Sequence, residues 1–341
     1  MTRPTSRQRF ASASLVLGLA ATLAACGSDD DEGPGSGSGS SDFSLEQTNA
    51  WGTTSLDERP TRIAVVSDGD RDIAYALGIS PVVEPVWPGS FEGPYVATTK
   101  DELGIDEPVT YDATDGTDFE AVAAADPDVI LGVNAYSMDE DYEQLSRIAP
   151  VITFADVDDA TDLTWDERLT RAAEGLGMED EAQAVIEENR ARAAAVGVDH
   201  PELVGTSYTY LVVHPEQLSY MSSASAPLNP VDDMGLVRPA NAGDFDGNNN
   251  AVALENLRDV DADVLLVAYP FGDEGLMSAD QLESNELFTS IPAVQAGRWA
   301  IVDSENGLAG AFAYPSALSY SWVIDQLEPL LVTAAAGQGG V

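Results

Sequence analysis

Cysteine, histidine and lysine are nearly missing from this 341-residue chain, which has only Cys26, His200, His214 and Lys100. One cysteine excludes a disulfide framework and a thiolate metal site. Two imidazoles are too few for a three-histidine metal cage. Basic residues are also scarce, 15 Lys+Arg against 59 Asp+Glu, giving a formal charge of −44. A nucleic-acid partner is therefore excluded, because phosphates need a basic footprint. The chain also lacks a G-x-S-x-G elbow, a P-loop and a G-x-G-x-x-G fingerprint. His200, at a helix end, is a poor general base, so a secreted enzyme is only the alternative from another class. Hydrophobic content of 44% is ordinary for a folded protein, so the acidity does not signal disorder. Spread along the chain, the acids read as a solvated surface rather than a binding patch.

The N-terminus carries an address. Arg3, Arg7 and Arg9 precede an apolar run from Phe10 to Ala25, too short and too rich in small residues for a stable span. It ends in Leu23-Ala24-Ala25-Cys26, which resembles a bacterial lipobox and implies that Cys26 is the lipidated first residue of the mature chain. Residues 1–25 then read as a lipoprotein signal peptide. Residues 26–50 read as a tether, opening on the Gly/Ser/Asp stretch Gly27–Ser41, which cannot bury a core. Such a protein sits on the outer face of the cytoplasmic membrane, held by its lipid anchor only.

After Pro60 short apolar runs alternate with amphipathic stretches, the rhythm of an α/β protein. Strands are expected at Arg62–Ser67, Val82–Val86, Val129–Val133, Val151–Phe154, Tyr208–Val213, Val264–Ala268 and Trp299–Val302. Helices are expected at Asp118–Ala125, Asp139–Arg147 and Pro315–Leu331. The body repeats itself. Residues 118–131 (DFEAVAAADPDVIL) align without gaps on 253–266 (ALENLRDVDADVLL) at a constant offset of 135. Strands 62–67 and 208–213, and 151–154 and 299–302, recur in the same order. Between the halves lie two helical patterns, Trp165–Leu176 and Asp180–Val196, the second ending at Gly197. The expected architecture is two Rossmann-like α/β lobes, residues 51–163 and 198–341. Connecting helices at 164–197, with a single long α-helix as the join, link them, and a ligand cleft lies between the lobes.

Lipobox, tether, twin lobes and helical connector together resemble the ferric-siderophore substrate-binding lipoproteins of ABC importers. The resemblance covers about Arg59 to Leu331. It is carried by RPTRIAV (59–65), LGISPV (77–82), DFEAVAAADPDVILG (118–132), YEQLSRIAPVI (142–152), GLGMEDEAQAVIEENRARAAA (175–195), MGLVRPA (234–240), LENLRDVDADVLLV (254–267) and IPAVQAGRWAIVD (291–303). It implies a monomeric receptor with no cofactor of its own, handing an intact iron chelate to an ABC permease. It also implies that one glutamate per lobe, Glu120 and Glu255, docks on that permease. The repeat alignment pairs the same two residues.

In α/β lobes ligands bind beyond the carboxyl ends of the strands. A ferric siderophore has its iron already coordinated, so it needs aromatic walls and a few donors, not metal ligands. The loop Trp87–Tyr95 offers Trp87, Phe91 and Tyr95 on a Pro/Gly frame. Asn134 and Tyr136 follow the next strand, and His214 and Tyr220, Tyr269 and Phe271, and Phe312 and Tyr314 lie in the second half. Arg238 is the candidate partner for chelate oxygens. The acidic balance favours neutral or cationic hydroxamates over anionic catecholates. Haem, with His214 or a tyrosine as axial ligand, and cobalamin stay open as alternatives. Asp244 to Glu255 has a calcium-loop flavour, but its glycine sits at the fourth place rather than the sixth, so a plain loop is preferred.

Overall fold

The short run Ile63-Ala64-Val65 has no polar side chain to point at solvent, and it forms strand β3, buried on both faces. That is the signature of a parallel sheet covered by helices on each side. The computed structural model describes residues 43–88, 92–157, 163–226, 228–247, 250–272, 275–304 and 306–340. Ahead of β3 lies a hairpin of β1 (Leu45–Asn49) and β2 (Gly52–Leu56), paired antiparallel. Its inward residues include Gln47, Asn49 and Thr54, with Thr54 Oγ1 donating to Val151 O at 2.6 Å. The tether expected through residue 50 therefore ends earlier, because the hairpin is tied into the first lobe by these buried hydrogen bonds.

The first lobe continues with α1 (Asp68–Ala76), β4 (Glu84–Val86), α2 (Pro94–Leu103), β5 (Thr110–Asp112), α3 (Phe119–Ala124), β6 (Val129–Gly132), α4 (Met138–Leu145) and β7 (Val151–Thr153). Strands β3, β6 and β7 pair in parallel, in the order β3-β6-β7. The parallel pair β4–β5 joins them through the Ala64–Val83 bridge. Helices α5 (Trp165–Leu176) and α6 (Glu179–Asp199) follow. Thr164 and Glu167 form a capping box at the start of α5, and Gly177 ends it at φ 65°, a left-handed conformation that glycine adopts without a Cβ penalty.

The second lobe holds β8 (Tyr208–Val213), β9 (Leu218–Tyr220), α7 (Pro230–Asp233), β10 (Ala251–Val252), β11 (Val264–Ala268), α8 (Ala279–Glu283), α9 (Pro292–Gln295), β12 (Trp299–Val302), α10 (Leu308–Ala313) and α11 (Tyr320–Ala335), with a 3-10 helix at Leu254–Val260. Its sheet runs β10-β9-β8-β11-β12, with β8, β11 and β12 parallel. The repeat is thus built into the pairing. Ile63 lies opposite Val129 and Tyr208 opposite Val264; Val151 lies opposite Ile130 and Trp299 opposite Leu265. The aligned acids do the same work in each lobe. Asp128 accepts from Thr61 N and Arg62 N at 2.8 and 3.0 Å, and Asp263 accepts from Ser207 N at 3.0 Å. Each carboxylate fixes the start of the strand beside it.

The strands alternate between two apolar environments. Along β11, Val264, Leu266 and Ala268 face a core that continues through α5 and α6 into the first lobe. Leu265 and Val267 face a separate outer core. In the first lobe Val129 and Leu131 join the shared core, while Ile130 faces outward to its own cluster. Helix α6 buries Ala182, Ile186, Asn189, Ala193 and Val196, a stripe at helical spacing, and packs on α7 and α11. The two α/β lobes are joined by this long helix.

Candidate functional site

In each lobe the loops at the carboxyl ends of the parallel strands are where α/β folds bind ligands. In the first, β3 runs into Ser67, whose Oγ caps α1 by accepting from Asp70 N at 3.0 Å. The Asp70 carboxylate, fully buried, accepts from Ser67 Oγ at 2.6 Å and from Asn134 N at 3.0 Å. It therefore ties the loop after β3 to the loop after β6. These loops touch so closely that a Cβ on Gly69 would lie 1.5 Å from Asn134 Nδ2. Burial pushes the Asp70 carboxyl up to about 7, against the hydrogen bonds from Ser67 and Asn134.

Next along α1, Arg71 and Asp72 are buried charges that sequence reasoning missed. Arg71 donates to Glu92 Oε1 at 2.8 Å and to Asp72 Oδ1 at 3.0 Å. Lys100 lies 3.4 Å from the other Glu92 oxygen and 3.3 Å from Glu84, which also accepts from the Tyr75 hydroxyl at 2.6 Å. Burial works against the Arg71 charge, but Asp72 and Glu92 outweigh it and drive its pKa upward. Asp72 is raised, by burial first, with Arg71 and Ser316 opposing. A usable signal was present: SDGDRD directly follows the first strand, at the end where α/β ligands bind.

From the second lobe, Ser316 Oγ donates to Asp72 Oδ2 at 2.7 Å, and the Trp322 ring lies 5.3 Å from Tyr95. His214, at the end of β8, stands 5.3 Å from the Phe271 ring, and partial burial lowers its pKa, favouring the neutral imidazole. Of all aromatic residues described, four are in the exposed class: Trp87 (37%), Tyr136 (60%), Phe271 (40%) and Tyr314 (71%). Two come from each lobe: Trp87 directly follows β4, Tyr136 and Phe271 lie in the loops after β6 and β11, and Tyr314 ends α10.

The pattern of the periplasmic binding protein family matches residues 63–305. The chain belongs to that family. Among solved structures, it is similar to PiaA of Streptococcus pneumoniae TIGR4 in complex with ferrichrome, at 26% identity and TM-score 0.70, covering 86% of this chain and 99% of the other. The structure of PiaA as an iron uptake ABC transporter substrate-binding protein gives 27% identity and TM-score 0.69, over 86% and 100% of the two chains. A periplasmic solute binding protein from Mycobacterium smegmatis, at 23% identity, TM-score 0.69 and coverage of 86% and 99%, shares the fold. Among curated proteins no relative matches.

Within this periplasmic binding protein several expected ligand contacts sit elsewhere. Tyr220 is fully buried, stacked on Phe245 at 4.0 Å, because β9 is an internal strand between β8 and β10. Tyr269 is buried in the outer core of the second lobe. Phe312 is buried too, stacked on Tyr210 at 4.1 Å. Arg238 follows Val237, which bridges Ser207 at the start of β8, the end opposite the cleft. Its guanidinium pairs with Asp232 at 2.9 Å and donates to Ser223 O and Ala226 O, the latter at 2.7 Å. It holds loops together rather than facing ligand. Phe91 and Cys26 lie outside the described residues, as do Asn248 and Asn249 of the calcium-like loop. Asp246 in that loop accepts from Ser225 N and Oγ at 2.9 and 2.7 Å. Among the described residues no His/Cys/Asp/Glu cluster could hold a metal ion.

Two other concavities, of about 440 and 490 Å³, lie on the second lobe, one around Asp261, Asp263 and Arg298 and one around Asp244, Phe245 and Asp259. Neither contains the exposed rings. Glu120 and Glu255 are both exposed, in the first turns of α3 and of the 3-10 helix at Leu254–Val260. These short helices lead into the equivalent strands β6 and β11. Both glutamates thus hold equivalent places in the two lobes.

Proposed function

We propose that this chain is the extracytoplasmic substrate-binding lipoprotein of an ABC importer. It captures a ferric siderophore between its lobes and delivers the intact chelate to a permease. The observation that carries this reading is the distribution of exposed rings: two from each lobe, in loops after parallel strands or at a helix end, while the remaining described aromatics are half-buried or buried. A bulky chelate offers an apolar rim, and ring faces bury it with little side-chain entropy loss. The 26% identity to a ferrichrome-bound protein over 86% of the chain supports the ligand class.

Charge narrows that class to hydroxamates. On the first-lobe wall, Arg71 is matched by Asp72 and Glu92, and Lys100 by Glu84 and Glu92. A neutral or cationic chelate meets no excess of like charge there, whereas an anionic catecholate does. Glu120 and Glu255 serve as paired docking knobs, supported by their exposure and their equivalent places in the short helices ahead of β6 and β11. Lipidation at Cys26, signal-peptide removal before it and a monomeric state complete the reading. Among the described residues no helix is long and apolar enough to cross a membrane.

Tryptophan quenching against ferric hydroxamates, ferric catecholates, haem and cobalamin tests the ligand class. Saturable stoichiometric quenching by a hydroxamate, weakened by Trp87→Ala and Tyr314→Ala, is the expected result. Binding of haem with a Soret shift lost in His214→Ala, and no hydroxamate binding, would replace this reading. Loss of uptake in Glu120→Ala/Glu255→Ala, with chelate affinity unchanged, tests docking.

A further inference from the structure

The first turn of α11 and the residues just before it gather contacts from the opposite lobe and from the linker. Ser316 bonds to Asp72 of α1, Trp322 meets Tyr95 of α2, and the Tyr320 ring lies 4.5 Å from Trp165 of α5. Asn189 of α6 donates to Ala317 O at 2.8 Å and accepts from Ser321 Oγ at 2.6 Å. These contacts fall into two kinds. Trp165, Tyr320 and Asn189 are buried, so separating them would expose core. Ser316, Tyr95 and Trp322 are half-buried and meet through side-chain ends.

The second kind can part with each hydrogen-bonded residue keeping a partner on its own lobe, although Asp72 itself is buried. Asp72 keeps Arg71 at 3.0 Å on its own lobe. The Ser316 hydroxyl keeps Ser319, whose backbone N donates to it at 3.0 Å, while Ser316 N donates to Ser319 Oγ at 2.9 Å. A broken hydrogen bond is expensive when it strands a buried partner and cheap when each side has a second one. We propose that Asp72–Ser316 and Tyr95–Trp322 form a releasable latch between the lobes, pivoting on the permanent contact of Trp165, Tyr320 and Asn189. The latch sits on the cleft side of that pivot, since Asp72 and Tyr95 both lie beyond strand carboxyl ends. The inference concerns the empty chain, so it stands or falls apart from the identity of the ligand.

Pulsed electron spin resonance on the full chain without ligand tests it. Spin labels go on Glu102→Cys and Glu286→Cys, exposed positions in the first and second lobes, in a Cys26→Ser background. The unmodified latch gives one narrow distance. Ser316→Ala and Trp322→Ala each broaden it, and the double variant adds a population at longer distance. Ser137→Ala, which deletes an exposed bond to Asp141 within the first lobe, leaves the distance unchanged. If Trp322→Ala loses its cooperative melt, Ser316→Ala, which removes one oxygen, carries the test. Distance distributions that superimpose on the parent in the folded latch variants overturn the proposal.

Discussion

Asp70→Asn isolates one buried proton. Asp70 is fully buried, and its carboxyl is pushed from 3.8 up to about 7 by burial. In the unfolded chain the group loses its proton near pH 4, but the folded chain keeps it until about pH 7. Between those values the folded state holds the extra proton, so the contribution to stability is complete below pH 4 and is lost as pH rises through 7. At about 1.4 kcal/mol per pKa step, three steps amount to roughly 4 kcal/mol, an upper figure given the neighbouring Arg168. Asparagine does not titrate, keeps an oxygen for the Asn134 N–H and places its amide against Ser67 Oγ. Urea denaturation of parent and variant from pH 4.5 to 8 reads the effect as a difference, which cancels the background from the other carboxylates. The variant should gain on the parent by several kcal/mol across that range and match or exceed it at pH 8. Parallel stability curves for the two proteins would show that Asp70 has no shifted titration and sink the reasoning.

Arg71→Met leaves Asp72 buried without its ion partner and should cost about 3–5 kcal/mol by urea denaturation. Adding Asp72→Asn should recover part of that loss, and strict additivity of the two changes would count against the pairing. Tyr220→Ala removes a fully buried ring and should cost about 3–5 kcal/mol while leaving chelate affinity of the folded protein unchanged. Tyr314→Ala should do the reverse, shifting stability by less than about 0.5 kcal/mol while weakening binding, because its ring is mostly in solvent. Gly175→Ala should destabilise by about 1–3 kcal/mol, since the new Cβ would lie 2.5 Å from Ile152 Cγ2.

The parallel strands were the easiest elements to read because burial on both faces removes polar residues from the run. Tyr208–Val213, Val264–Ala268 and Trp299–Val302 coincide with β8, β11 and β12. The hairpin β1–β2 was hidden for the opposite reason. It turns polar residues inward, Gln47 donating to Arg171 O and Asn49 to Thr54, so its pattern resembles a linker. Helix α1 escaped as well, because DGDRDIAYA buries Asp70, Arg71 and Asp72 beside its apolar residues. The final helix begins at Tyr320 rather than Pro315, and Ser316 and Ser319 ahead of it exchange hydrogen bonds between their hydroxyls and each other's backbone N–H.

Sequence position alone did not separate exposed rings from buried ones: Tyr269 and Phe154 directly follow the parallel strands β11 and β7 and are buried, whereas Tyr136 and Phe271, a few residues beyond β6 and β11, are exposed. Tyr220 is buried because β9 runs antiparallel to β8, carrying its C-terminal residue back toward the far end of the sheet. Arg238 differs from the expectation because scarcity of arginine is no sign of ligand contact. In a chain with 59 acids, a scarce cation has abundant nearby carboxylates to pair with, and Asp232 took it. The same logic explains Arg71, which stands at the right end of the sheet yet is already held by Asp72 and Glu92. An acidic surface thus silences cations as anion readers before any ligand arrives, and under the proposed function selection among chelates would fall to ring faces and to the charge that the chelate itself carries.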